Sequence, residues 1–375
     1  MNWRIPLADL DYGAEEEDAV LRVLRGKWLT MGAETKEFET RFAEAVGAKH
    51  SVAVSNATVA LHLACLALSI GTGDEVIVPS LTFVATANAV LYTGAQVRFA
   101  EIHGPDDLTL SPRAIEALIT PDTKAIMVMH YGGYPCAMEK IMAIANRHGL
   151  AVIEDAAHAP GASLHGRALG TWGDVGCFSF FSNKNLSTGE GGMLVTQRDD
   201  IAERARLLRS HGMTSLTWDR HQGHAYSYDV VALGYNYRMD EIRAALGLVQ
   251  LSKLSANNAR RGAITEQYWQ ALEQTGVGLP FRDTVGEPAY HIFPILLPEG
   301  VDRYHFIDHM RAAGVQTSIH YPPIHQFQAY RALYPDLELP VTEVVASREV
   351  TLPLYPTMTD EQVQLVVNAV KQGIQ

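Results

Sequence analysis

The stretch from residue 177 to residue 192 reads CFSFFSNKNLSTGEGG. An aromatic, strand-like run comes first, a single lysine (Lys184) follows it, and a turn with three glycines comes next. Any one lysine is most often a surface residue. The residues that flank Lys184 make a surface position a less favoured interpretation here than a functional one. Burial drives a lysine amine toward its neutral form, which is the form that a Schiff-base lysine needs. The glycines permit close approach of backbone to backbone or to a ligand.

Around this stretch, short apolar runs alternate with helical patterns from about residue 50 to residue 200. The predicted strands are 51–55, 75–79, 96–102, 124–130, 151–155, 177–181 and 193–196. Helical patterns lie between most of them, for example at 58–68 and 137–148. Apolar strands that alternate with helices predict an α/β fold with a mostly parallel sheet covered on both faces.

The last third of the chain has a different pattern. A long helical pattern runs from Met239 to Ala271, followed by strand-like pieces at 291–296 and 316–320 and a final helix at 360–371. These elements predict a small α+β domain joined by a connecting helix. We place a large domain at residues 1–250 and a small C-terminal domain at residues 251–375.

Two further segments carry candidate site residues. Ala57 and Thr58 come where a strand ends and a helix begins, and a helix N-terminus suits a phosphate, although a simple helix cap is the more common explanation of such a segment by itself. Asp155 and His158 follow an apolar strand, and ligands of parallel sheets gather at that edge. The carboxylate there could hold a protonated heteroaromatic nitrogen or a metal, act as a base, or cap the next helix.

Composition excludes several classes of protein. Lys plus Arg is 30 and Asp plus Glu is 42, so the formal net charge is −12, and no basic cluster suited to nucleic acid occurs. The three cysteines are too few and too scattered for a disulfide framework, and no zinc-type spacing predicts a metal site. We find neither a signal-peptide pattern nor a membrane-spanning run, and expect a cytoplasmic protein.

In order and combination, these segments resemble the DegT/DnrJ/EryC1/StrS family of sugar aminotransferases. The resemblance also rests on WLTMG at 28–32, PSLTFVAT at 79–86, EDAAH at 154–158, LGYNYRM at 233–239 and HYPP at 320–323. It implies the aspartate aminotransferase-like fold (fold type I) and pyridoxal 5′-phosphate (PLP) as the cofactor. The implied substrates are glutamate, which leaves as 2-oxoglutarate, and a nucleotide-linked keto-sugar.

The resemblance also implies roles for individual residues around the cofactor ring. Lys184 would carry the cofactor and shuttle protons, and Asp155 would pair with the pyridinium nitrogen so that the ring keeps its electron-withdrawing power. Phe83 would stack on the ring. His158 would lie near the cofactor's phenolic oxygen.

Other positions match the phosphate and sugar ends of the family's site. The implied phosphate ligands are Ala57, Thr58, Ser179 and Asn236. Asn236 would come from a neighbouring subunit, which implies a homodimer. His320 and Tyr321 would lie at the mouth for the sugar, although a structural role is equally open. Two positions depart from the family pattern: Ala57 replaces a usual glycine, and Phe181 stands where many relatives have histidine.

The pattern after Lys184 is similar to relatives that act on 4-keto-6-deoxy sugars, so we favour a 4-keto-6-deoxyhexose. The alternatives are a 3-keto sugar, another keto-sugar or cyclitol, or a PLP-dependent sugar dehydratase. Dehydratases of this family have lost the lysine that this chain keeps. A nicotinamide-dependent dehydrogenase is disfavoured because no G-x-G-x-x-G stands between a first strand and helix.

Overall fold

The computed structural model describes residues 3–214 and 227–374. Strands within these residues fall into one large sheet and two strand pairs. In chain order they are β1 (His50–Val54), β2 (Glu75–Pro79), β3 (Gln96–Ala100), β4 (Thr123–Met129), β5 (Ala151–Asp155), β6 (Ser163–Leu164), β7 (Arg167–Ala168), β8 (Val175–Ser179), β9 (Gly192–Thr196), β10 (Phe293–Leu296) and β11 (Glu349–Leu352).

The large sheet has the strand order β1-β9-β8-β5-β4-β2-β3 among the described residues. The pairs β3–β2, β2–β4, β4–β5 and β5–β8 are parallel. β9 is antiparallel to both of its neighbours, β8 and β1. All of the other strands of this sheet therefore run in one direction, and the predicted mostly parallel sheet is confirmed.

Helices cover this sheet and build the C-terminal part of the chain. In chain order they are α1 (Ala14–Gly26), α2 (Ala33–Val46), α3 (Ala57–Ala67), α4 (Ala85–Leu91), α5 (Pro112–Leu118), α6 (Met138–His148), α7 (Asp199–Arg209), α8 (Glu241–Leu272), α9 (Arg303–Ala312), α10 (Gln328–Arg331), α11 (Pro340–Arg348) and α12 (Asp360–Gly373). None of the helices in the described part of the chain has the length and apolar character that crossing a bilayer requires.

Alternate residues of the strands face opposite layers of helices, as a strand's period of two dictates. Val52 and Val76 belong to an apolar cluster with α3, α4 and α7. Ala53 and Ile77 point the other way, into a cluster with α2 and α6. Both faces of the sheet are thus buried, which explains why its strands read as almost continuous apolar runs.

An apolar core in the C-terminal part is built around the antiparallel pair β10–β11, the second half of α8, α9 and α12, and it continues into Leu81, Met129 and Tyr131 beside the large sheet. Ile5 also packs in this core and bridges to Val315. The strand expected at 316–320 is wrong: only an isolated bridge, Ser318 to Thr351, forms there. Pro322 and Pro323 follow after Tyr321, and proline has no N–H with which to extend a ladder.

The predicted domain boundary near residue 250 falls inside α8, a continuous helix of 32 residues. Asp240 caps its start, since the side chain accepts a hydrogen bond from the Arg243 N–H. The division into residues 1–250 and 251–375 stays a prediction.

Candidate active site

Lys184 lies on the loop that joins β8 to β9. The loop is closed by backbone hydrogen bonds, from Lys184 N to Phe181 O (2.9 Å) and from Thr188 N to Phe180 O (2.8 Å). Burial lowers the pKa of the Lys184 amine to about 7, although the charge of Asp155 acts in the opposite direction. A large share of the amine is therefore neutral near pH 7, which is the form that attacks a carbonyl or accepts a proton.

Asp155 ends β5, the strand next to β8, and its carboxylate is buried. Thr86 Oγ1 donates a hydrogen bond to Oδ2 at 2.7 Å, and the Ala157 N–H donates to Oδ1 at 3.2 Å. Burial raises the pKa of Asp155, while these two donors and the positive charges of Lys184 and His130 lower it. The donors fix the orientation of a carboxylate that lies close enough to Lys184 for each to shift the other's pKa.

His158 is fully buried and links the sheet edge to the C-terminal part. Its Nδ1 accepts from the Gly132 N–H (3.2 Å), so the ring proton is on Nε2, which donates to Tyr321 Oη (3.0 Å). Burial holds the pKa of His158 well below its ordinary value, so the ring is neutral. The Tyr321 ring also lies 6.0 Å from that of Phe83, whose side chain is half exposed.

Two buried polar residues of β11, Glu349 and Thr351, hold His320 in place. Its N–H donates to Glu349 Oε2 (2.7 Å), its Nδ1 lies 2.8 Å from Thr351 Oγ1, and Tyr131 Oη donates to its carbonyl. Burial and then the charge of Lys184 lower the pKa of His320 to about 4. The ring is therefore neutral near pH 7 and lies within electrostatic reach of the lysine.

Three of the expected phosphate ligands, Ala57, Thr58 and Ser179, meet where α3 begins. The side chain of Asn56 caps this helix through the Val59 N–H (3.0 Å), and the N–H groups of Ala57 and Thr58 make no hydrogen bond within the described residues. Gly192, which pairs with Ser179 in the sheet, packs against this turn, and a Cβ on it would lie 2.6 Å from the Asn56 carbonyl carbon. The structure thus brings these residues to one edge, at the positive end of a helix dipole.

Asn236 stands apart from these residues. It is exposed and bridges to Ser210, and its neighbours Tyr235 and Tyr237 stack on each other with ring centroids 4.7 Å apart. Nothing in the described chain joins its side chain to Lys184 or Asp155. An exposed asparagine agrees with a role at a neighbouring subunit's site, and this role stays a prediction.

Several polar residues of the site have no strong sequence signal. His291 Nε2 lies 3.3 Å from Lys184 Nζ, and His291 Nδ1 lies 2.9 Å from Asn185 Oδ1. Thr86 donates a hydrogen bond to Asp155, and Glu349 accepts one from the His320 N–H. Of these, Asn185 lies in the lysine stretch and Thr86 ends the stretch at 79–86, whereas His291 and Glu349 come from distant parts of the chain that no local pattern connects to Lys184.

These residues fit PLP by the chemistry of their donors. A largely neutral lysine amine, a buried carboxylate beside it and a free helix N-terminus match an aldehyde, a pyridinium nitrogen and a phosphate. Within the described residues, no three His, Cys, Asp or Glu side chains gather as a metal site would require. Together with the mostly parallel sheet, this set defines a PLP-dependent enzyme of fold type I.

Comparison with known proteins identifies the family. The sequence model of the DegT/DnrJ/EryC1/StrS aminotransferase family matches residues 11–371. The chain is 40% identical over 367 residues to the spore coat polysaccharide biosynthesis protein SpsC of Bacillus subtilis (strain 168), covering 96% of this chain and 94% of SpsC. The protein belongs to the DegT/DnrJ/EryC1/StrS family and is a PLP-dependent transaminase.

Solved structures agree with this assignment. S. venezuelae DesV, whose crystal structure is a complex with a ketimine intermediate, superposes with a TM-score of 0.92 at 37% identity, covering 99% of both chains. Helicobacter pylori PseC, an aminotransferase involved in the biosynthesis of pseudoaminic acid, gives a TM-score of 0.92 at 29% identity, also over 99% of both chains. The predicted fold type and cofactor are thus confirmed, while the roles of single residues stay predictions.

Proposed function

We propose that this transaminase moves the amino group of glutamate to the keto group of a nucleotide-linked sugar, with a 4-keto-6-deoxyhexose as the acceptor. The observation that carries the proposal is the partly buried Lys184 amine beside the buried Asp155 carboxylate, which supplies the proton-transferring base that a dehydratase of this family lacks. The names of SpsC and PseC, which connect those relatives to polysaccharide and to pseudoaminic acid biosynthesis, support a sugar acceptor.

In this proposal the chain's own groups divide the work. When bound, PLP supplies an aldehyde carbon with which amines condense and a ring that withdraws electrons from the carbon losing its proton. Lys184 Nζ accepts the α-proton of the amino donor and later returns a proton, a role worth about 10²–10⁴-fold in rate. Asp155 supplies the negative charge that keeps a ring nitrogen protonated, and Thr86 holds that carboxylate in place.

The remaining site residues hold the bound groups. Ala57, Thr58 and Ser179 receive the phosphate, and Phe83 covers one side of the ring. His158 is a neutral side chain whose Nε2–H already points at Tyr321, so these two orient each other at the ring's edge. His320 and Tyr321 line the approach of the sugar.

We also propose a homodimer in which Asn236 completes the phosphate site of its neighbour, since its side chain is exposed in the single chain. We place the enzyme in the cytoplasm, in keeping with three buried and unpaired cysteines. Neither nucleic acid nor a membrane is expected as a partner.

The test is a nitrogen-transfer assay with ¹⁵N-labelled glutamate, PLP and a panel of nucleotide-linked sugars that carry the keto group at the 4-position or the 3-position. We expect label in the 4-amino product by mass spectrometry and NMR, together with release of 2-oxoglutarate. Label only in a 3-amino product would replace the proposed acceptor. Loss of a sugar hydroxyl without nitrogen transfer would replace the proposed reaction with a dehydration.

A further inference from the structure

His291 contacts Lys184 from the opposite side of the site, on the segment that leads into β10. Its backbone is anchored at both ends: the N–H donates to Gly132 O (2.8 Å), and the Arg261 guanidinium donates to its carbonyl (3.2 Å). The side chain is buried, with Nε2 3.3 Å from Lys184 Nζ and Nδ1 2.9 Å from Asn185 Oδ1. The imidazole therefore bridges the lysine amine and the next residue's amide.

The direction of these hydrogen bonds is fixed by two backbone carbonyls, which can only accept. Asn258 Nδ2 donates to Pro160 O (2.9 Å), so Asn258 Oδ1 is the atom that accepts from Asn185 Nδ2 (2.7 Å). Asn185 Nδ2 also donates to Ala289 O (2.7 Å). Asn185 Oδ1 must then face His291, and it accepts a hydrogen bond.

It follows that His291 carries its proton on Nδ1 and presents the lone pair of Nε2 to Lys184. A second proton on the ring is strongly disfavoured: burial holds the pKa of His291 well below its ordinary value, and the charges of Lys184 and Arg261 act in the same direction. His291 is thus a permanent acceptor, and the lysine amine must be the donor in either of its protonation states.

We propose that His291 is a positioning residue for Lys184: its Nε2 binds one N–H of the lysine, orients the amine and favours the ammonium form. This proposal rests on the proposed role of Lys184 as the proton-transferring group. A hydrogen bond from an ammonium to a neutral imidazole is stronger than one from an amine, since charged donors form the stronger bonds. The bond therefore opposes the desolvation of Lys184 and raises the pH above which the amine acts as a base.

Two variants of His291 separate this role from simple packing. His291→Leu fills the space but offers no acceptor, whereas His291→Gln can present its amide oxygen to the lysine. In the holoenzyme, we expect the acidic limb of the pH profile for the reaction with glutamate to move down by about one unit in the Leu variant. In His291→Gln the limb should stay close to the wild-type position.

A second readout does not depend on turnover. In the cofactor-free full chain, the pH dependence of Lys184 acetylation by acetic anhydride, followed by mass spectrometry of its peptide, reports the pKa of the amine. The pKa of the Lys184 amine should be lower in His291→Leu than in the wild type, and close to the wild-type value in His291→Gln. Asn185→Leu, which removes the acceptor of the Nδ1 proton and so frees the ring to change tautomer, should shift the pKa in the same direction as His291→Leu.

The outcomes are distinguishable. An unchanged acidic limb and an unchanged amine pKa in a folded His291→Leu protein would overturn the positioning role, as would equal shifts in the Leu and Gln variants. A wild-type protein that does not react with glutamate would instead overturn the proposed function. The acetylation profile would still test the hydrogen bond in that case.

Discussion

The hydroxyl of Thr86 offers a sharp test of the site, because it donates to the buried Asp155 carboxylate at 2.7 Å. Thr86→Val keeps the shape of the side chain and removes this donor, which leaves the Ala157 N–H at 3.2 Å. A hydrogen bond to a charged group is worth about 1.5–3 kcal/mol, so the loss of this donor raises the pKa of the Asp155 carboxyl further. A more readily protonated Asp155 holds a pyridinium less well, so PLP affinity should fall about 10- to 100-fold.

The assay is a PLP titration of the cofactor-free chain, followed by visible absorbance and repeated across neutral pH. Two variants are matched controls: Thr86→Ser keeps the hydroxyl, and Thr82→Val removes only the next hydroxyl, whose oxygen lies 2.8 Å from that of Thr86. The loss of affinity should be large for Thr86→Val, smaller for Thr82→Val and slight for Thr86→Ser. Wild-type affinity with an unchanged pH dependence in Thr86→Val would refute this account of Asp155.

Three further results are expected. Lys184→Ala should keep the fold by circular dichroism but lose turnover by about 10²–10⁴-fold or more, and full activity would contradict its assignment as the base. Burial raises the pKa of Glu349 to about 8, from 4.5, so the stability that its proton contributes is present below about pH 4.5 and is lost as the pH rises through about 8. The unfolding free energy of the wild type, measured by urea denaturation, should fall across that window by at most about 5 kcal/mol. It should fall less in Glu349→Gln, and equal falls in the two proteins would contradict the prediction. Mixing inactive Lys184→Ala with inactive Asn236→Ala should restore activity after subunit exchange, because one site of the mixed dimer then has its lysine and its neighbour's asparagine; no gain would place Asn236 outside the neighbour's site.

Much of the fold was predictable because its signals are local. A strand buried on both faces is apolar throughout, so β2 and β5 were predicted with the bounds that the structure has. Asp155 and Ser179 end neighbouring parallel strands, and Lys184 follows Ser179 by five residues. Their meeting at one sheet edge follows from topology alone.

The contacts that the sequence does not reveal join residues far apart in the chain. His291 and Lys184 are 107 residues apart, and their contact depends on how the segment before β10 pairs with Gly132. No periodic pattern records such a pairing. The strand expected at 316–320 was wrong for a related reason: its composition suits a strand, but two prolines and a single bridge to Thr351 leave no ladder to join.

The most direct test of the central claim is a titration of the purified protein, loaded with PLP, with glutamate and without any sugar. The account predicts that the visible absorbance of the bound cofactor converts to that of the amino form, that 2-oxoglutarate appears in step, and that the Lys184→Ala protein does neither at a comparable rate. If excess PLP does not bind, or if it binds and glutamate changes nothing, the assignment of a glutamate-dependent transaminase with Lys184 at its centre is contradicted.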